Sequence, residues 1–298
     1  MEPFVGLDWL LARRDETALV DIRFYLDGRP GRPVYEAGHI PGAVYLELED
    51  VLTEPGLDPA IAGRHPLPSP QRFAAGLTAL GIGDRDPVVA YDDAGGVIAA
   101  RLVWLLRVID HPAALLDGGL AAWPPDQLQT GPGAIRATSV ATTDDLADPA
   151  VATARATTTG FTPVPWPVKR FASIEQTAAA ACGGSAVVID ARDASRFAGG
   201  PDRVDPRSGH IPNARSVPTR DHLGADARIA DPETLRATFA AAGITEARTP
   251  VISSCGSGVT ACHNLLALER AGFTETSLFV GSWSQWSRDP ARAVATGP

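Results

Sequence analysis

The sequence predicts an α/β fold made of two tandem copies of one domain, each a mainly parallel sheet flanked by helices. Three observations carry this. Four sequence blocks recur in the same order in both halves of the chain. Short apolar runs alternate with stretches of helical apolar spacing, a pattern that builds parallel sheets. One such run ends in a glycine-rich turn that holds a cysteine, Val251-Ile252-Ser253-Ser254-Cys255-Gly256-Ser257-Gly258, and a helical pattern follows.

The repeat is read block by block. Val20-Asp21-Ile22-Arg23 recurs as Ile189-Asp190-Ala191-Arg192, and Gly38-His39-Ile40-Pro41 as Gly209-His210-Ile211-Pro212. Val88 to Val97 parallels Val251 to Val259, and Asp117 to Trp123 parallels Val280 to Trp286. The offset of roughly 160 to 170 residues is too long for a solenoid, so each copy should have its own core. Leu19–Ile22, Pro87–Tyr91, Ala186–Ile189 and Thr249–Ser253 read as strands. Gln71–Leu80, Ala99–Val108, Pro232–Ala242 and Val259–Arg270 read as helices. Between the copies the periodicity fades into Thr, Ala, Gly and Pro. The expected division is a first domain over 1–130, a linker over 131–165, its end pinned by Phe161 and Trp166, and a second domain over 166–298.

Composition sets the outer bounds. With 298 residues, 45% of them hydrophobic, the chain can fill two cores of ordinary size. A formal charge of −9 argues against a general nucleic-acid surface. Cys182, Cys255 and Cys262 cannot all pair, which suggests a reducing compartment. Neither a long apolar run nor a signal-peptide pattern is present, so a cytoplasmic protein without membrane contact is expected.

The chemistry points to Cys255. A cysteine between a strand end and a helix N-terminus faces backbone N–H groups and the positive end of the helix dipole, and both favour a thiolate. The plain alternative is a buried cysteine in a glycine turn. Aligning Gly96-Val97 on Gly258-Val259 places Asp93 opposite Cys255, and a carboxylate cannot carry a transferable sulfur, so the first copy should be catalytically silent and wall the cleft. A phosphatase loop of the C-x5-R type is excluded because Ala261 stands where the arginine is needed. Cys255, Cys262 and His263 would not converge on a zinc ion from one loop and helix, so no metal is expected.

Together, over nearly the whole chain, the blocks resemble the tandem-domain rhodanese sulfurtransferases. The loop CGSGVTA is similar to the mercaptopyruvate branch of that family, since the thiosulfate branch carries two basic residues after the cysteine. The resemblance implies a cofactor-free double displacement: Cys255 takes sulfur from a small donor as a persulfide and passes it to a thiol, a thioredoxin-like dithiol or cyanide. Gly256, Gly258, Val259 and Thr260 would line the donor site. Because the loop lacks cations, a compact dianion is disfavoured, and a carboxylate donor calls for arginine forks outside the loop. By resemblance Arg196 is one of them, and Arg203 the second, with Arg207 in reserve. A serine–histidine–aspartate relay would fall on Ser257 and His39, with Asp27 the nearest carboxylate. Arg23, Arg192, His39 and His210 occur in both copies, which also fits a shared architectural role. Thiosulfate sulfurtransferase activity and a non-catalytic sulfur-relay module are the competing functions.

Overall fold

The computed structural model describes residues 1–133 and 160–298. Most of the interval read as a linker, 131–165, lies outside the described residues. Two five-stranded sheets repeat one topology. In the first, β1 (Phe4–Val5), β2 (Ala18–Asp21), β3 (Val44–Tyr45), β4 (Val88–Tyr91) and β5 (Ala113–Leu116) lie in the order β1-β5-β4-β2-β3. In the second, β6 (Phe171–Ala172), β7 (Val187–Asp190), β8 (Arg215–Ser216), β9 (Val251–Ser254) and β10 (Thr276–Phe279) take the order β6-β10-β9-β7-β8. Every pairing between these strands is parallel. The strands read from sequence fall within one or two residues of those observed, and the two-residue edge strands carry too little pattern to be read.

Register fixes how the copies correspond. Asp21 pairs with Tyr91, and Asp190 pairs with Ser254. The residues that follow the two central strands are therefore Asp92 and Cys255. The expectation that Asp93 stands for Cys255 is corrected by one position: the first copy's turn is longer between its strand and its helix, so alignment on the glycines slipped. Asp93 instead accepts a hydrogen bond from the Tyr25 hydroxyl at 2.5 Å.

Arg23 and Arg192 prove to be matching braces. Arg23 binds Asp21 at 2.8 Å and the Gly38 carbonyl at 2.7 Å. Arg192 binds Asp190 at 2.7 Å and the Gly209 carbonyl at 2.8 Å.

The two sheets share one apolar core. Helices Ala100–Arg107 and Ala261–Arg270 follow the two central turns, pack against each other and are buried on nearly every side. A helix apolar all round has to be enclosed, and here each encloses the other: Leu102, Val103 and Leu106 belong to the same cluster as Leu265, Leu266 and Leu268. The chain re-enters the second copy along the first sheet's side. The Phe161 N–H bonds Thr78, and Trp166 Nε1 donates to the Pro68 carbonyl at 2.7 Å.

A continuous core should unfold as one unit. Leu266→Ala is expected to cost ~2–5 kcal/mol, the range for a large-to-small core truncation. Far-UV circular dichroism and tryptophan fluorescence should trace a single coincident urea transition. Two separated transitions would contradict the shared core.

Candidate active site

Parallel sheets bind ligands beyond the carboxyl ends of their strands, and Cys255 stands at that end of β9. The turn from Cys255 to Thr260 is held by its carbonyls. The Trp283 N–H donates to the Cys255 carbonyl at 3.0 Å, and the Ser284 N–H to that of Gly256 at 2.7 Å. Arg101 donates to the Gly258 carbonyl at 2.8 Å. With these carbonyls fixed outward, the Gly258 N–H is free to donate to Cys255 Sγ at 3.1 Å. Gly258 has a φ of +74°, and a Cβ there would lie 2.5 Å from the Val280 carbonyl oxygen, so glycine is required.

The first copy shows what this turn is built to hold. The Asp92 carboxylate, fully buried, accepts N–H bonds from Ala94, Gly96, Ile98 and Ala99 at 2.7–2.9 Å. Burial pushes this carboxyl upward against the downward pull of those donors. A carboxyl group fills the cradle there, whereas sulfur occupies the corresponding position in the second copy.

The cleft beside Cys255 encloses about 600 Å³ between the domains and is lined by Cys255, Gly256, Ser257, Val259 and Thr260 among others. Arg196 also lines it, together with Arg64 from the first domain. A Cβ on Gly256 would lie 3.4 Å from Arg64 Nη2 and 3.8 Å from Arg196 Nη1, so both guanidiniums border the turn. Their other nitrogens are anchored. Arg64 Nη1 binds the buried Asp205 at 2.8 Å across the domain interface, and Arg196 Nη2 binds Asp202 at 2.8 Å. Arg288 binds Asp205 as well.

Arg203 is not the second arginine of the cleft. It is exposed in a separate depression that also contains Arg207. Arg207 is committed to the backbone carbonyls of Trp286, Ser287, Asp289 and Arg292, so it fastens the C-terminal segment.

The histidine expectation is also corrected. His39 is buried away from the cleft, stacked on Tyr35 at 4.0 Å with Nδ1 against the Tyr35 carbonyl oxygen. His210 stacks on Phe197 in the same way. Ser257 Oγ instead lies 2.7 Å from Nδ1 of His65, a first-domain residue. Burial and the charges of Arg101 and Arg64 lower His65 to about 3, so the imidazole is neutral. With the proton on Nε2, Nδ1 accepts from the serine hydroxyl. The nearest carboxylate is Glu49, 3.9 Å from Nε2, while Asp27 pairs with Arg29 at the rim.

Arg64 and His65 were missed because nothing in the second copy corresponds to them. The first copy runs from Leu46 to Ser69 between β3 and its next long helix, the second only from Val217 to Asp231. That unmatched excess was the one signal available. Cys262 Sγ donates to the Gly258 carbonyl from behind the turn, and burial pushes its thiol well up. Among the described residues, no cluster of His, Cys, Asp or Glu is arranged to hold a metal ion.

Comparison with known proteins agrees with this architecture. The profile of the Rhodanese-like domain matches residues 6–125 and again 173–289. The chain belongs to the rhodanese family. A Pseudomonas aeruginosa protein named "Probable 3-mercaptopyruvate sulfurtransferase" is 39% identical, covering 97% of this chain and 96% of that protein. A Mycobacterium tuberculosis protein named "Putative thiosulfate sulfurtransferase" is 35% identical over 95% and 92% of the two chains. The crystal structure of a 3-mercaptopyruvate sulfotransferase from Escherichia coli superposes with a TM-score of 0.75 at 29% identity, covering 95% of this chain and 99% of that one.

The buried histidines of this rhodanese predict a pH dependence. Burial lowers His65 and His263 to about 3 and His222 to about 4. These folded values lie below the unfolded value, so the unfolded chain takes up protons that the folded chain refuses. Stability is full above about pH 6.5 and falls as pH drops toward those values. Urea midpoints should decline from about pH 6.5 to about pH 5, before most carboxylates titrate, and His263→Leu should flatten the slope. An unchanged slope in that variant would refute the assignment.

Proposed function

We propose that this rhodanese is a 3-mercaptopyruvate sulfurtransferase that works through a persulfide on Cys255. The Cys255 thiolate attacks the donor's sulfur, an S–S bond forms, and the C–S bond breaks with its electron pair leaving on pyruvate enolate. The enolate takes a proton to become pyruvate, and the donor's own thiol proton balances it. Ser257, hydrogen-bonded to a neutral His65, is the hydroxyl placed to pass that proton. In the second stage an acceptor thiolate takes the outer sulfur and Cys255 is released as thiolate. The Gly258 N–H steadies the sulfur in both stages.

The observation that carries the choice of donor is the pair Arg64 and Arg196 bordering an uncharged turn. A carboxylate and carbonyl set back from the sulfur suit two guanidiniums outside the turn, and each has nitrogens left over after binding Asp205 or Asp202. Thiosulfate would concentrate two charges at a turn whose own side chains carry no cation. The acceptor is a thiol or a thioredoxin-like dithiol. The compartment is read as cytoplasmic, a reading supported by three cysteines that are all unpaired. Among the described residues, no helix is long and apolar enough to cross a membrane.

Turnover of mercaptopyruvate and thiosulfate, each with cyanide and with a dithiol, tests the reading directly. Mercaptopyruvate should give the higher kcat/KM. A higher value with thiosulfate would favour that donor, and a stable persulfide without turnover of either would favour a relay module. Intact-mass analysis after donor treatment should show one added sulfur in the parent and none in Cys255→Ser.

The arginines are tested separately. Arg64→Ala and Arg196→Ala should each lose ~2–3 kcal/mol of charge-assisted binding, about 30- to 150-fold in kcat/KM with mercaptopyruvate. Arg203→Ala should stay within about twofold, as befits a surface residue away from the cleft. Equal losses in all three would remove the clamp assignment.

A further inference from the structure

The silent first domain places one more group against the cysteine turn. Arg101, on helix Ala100–Arg107, is completely buried. Its guanidinium donates to four backbone carbonyls: Leu52 at 3.1 Å, Gly258 at 2.8 Å, His65 at 2.8 Å and Pro66 at 3.1 Å. All four acceptors are neutral. Among the described residues no carboxylate pairs with Arg101, and a buried cation without a partner is costly.

Three other arginines around the turn are each held by a carboxylate. Arg192 is paired with Asp190 at 2.7 Å and lies 3.9 Å from Asp202. Arg64 and Arg196 are bound to Asp205 and Asp202. His65 is held neutral by burial, and the Cys262 thiol is pushed up. Arg101 is a fully buried cation with no carboxylate partner among the described residues. It holds the carbonyl of Gly258, the residue whose N–H meets Cys255 Sγ at 3.1 Å. Adding those two contacts to the width of one residue places the guanidinium within about 9 Å of the sulfur.

We propose that Arg101 is a positioning residue that supplies the countercharge for the anionic sulfur on Cys255, and that its fork sets the Ser257–His65 contact across the domain interface. Two features support this. The same guanidinium grips the His65 carbonyl and the Gly258 carbonyl, on either side of the 2.7 Å Ser257–His65 contact. Burial works against the charge on Arg101, an anionic sulfur on Cys255 works for it, and such an attraction acts equally on both partners. The proposal rests on the persulfide reading for its role in turnover, but its charge component is measurable without any donor.

Two variants separate charge from geometry. Arg101→Lys keeps the charge and loses the fork; Arg101→Gln keeps amide donors and loses the charge. Alkylation of Cys255 by iodoacetamide, followed across pH by peptide mass analysis, reads the thiolate. Over about 9 Å, with an effective interior dielectric of about 20, the lost attraction amounts to roughly 20-fold in thiolate population. The midpoint should therefore rise by about 1.3 pH units in Arg101→Gln and stay near the parent's in Arg101→Lys. In both variants kcat should fall more than KM changes, because the Ser257–His65 contact loosens. An unmoved midpoint in Arg101→Gln, or an equal shift in Arg101→Lys, would overturn the countercharge. Should Arg101→Gln fail to fold, Cys255→Ser in the full chain decides the matter. The parent's stability advantage over Cys255→Ser should widen as pH rises through the alkylation midpoint, and parallel curves would overturn the proposal.

Discussion

A turn can present its N–H groups inward only if its carbonyls are held outward, and the site depends on that constraint. In the second copy the Trp283 and Ser284 N–H groups and the Arg101 guanidinium take the carbonyls of Cys255, Gly256 and Gly258. In the first copy the Leu120 N–H takes the Asp92 carbonyl. This explains why the glycine-tryptophan block recurs beside each central turn. The block packs behind the turn and directs its backbone, so the acceptor at the centre, the Asp92 carboxyl or the Cys255 sulfur, meets N–H donors.

Duplication then divided the work between the copies. The first copy fills its own cradle with Asp92, in the place that Cys255 takes in the second. It contributes instead Arg64, His65 and Arg101, which reach the second copy's turn across a shared apolar core. The bond from Arg64 to Asp205 ties this reach to the second domain's own arginine, because Asp202 and Asp205 together orient Arg196. Charges that face the cleft are thereby fixed before any ligand arrives, and little reorganisation is left for binding.

Much of this was legible in the sequence, and the failures have physical causes. The repeat gave the architecture, and the strand–glycine–helix pattern gave Cys255 with its turn. Arg196, expected from the family resemblance, lines the cleft just beyond the β7 end. His39 was misassigned although its presence in both copies already pointed to architecture, which its stacking on Tyr35 bears out. Arg203 had suitable spacing, but spacing within one domain cannot reveal that the other arginine bordering the turn, Arg64, arrives from the first domain. Asp93 was aligned on glycines, whereas hydrogen-bonded register, invisible in sequence, selects Asp92. In each case the missing information was a contact between segments far apart in the chain.

The central claim, that catalysis depends on a contact between domains, is tested most directly by a double-mutant cycle on Ser257 and His65. The kcat/KM values with mercaptopyruvate would be measured for the parent, Ser257→Ala, His65→Ala and the double variant. Residues in one hydrogen-bonded unit should show a coupling of about 0.5–3 kcal/mol, the double variant losing little beyond either single one. Strictly additive losses would mean that the two side chains act independently and that the first domain does not complete the site.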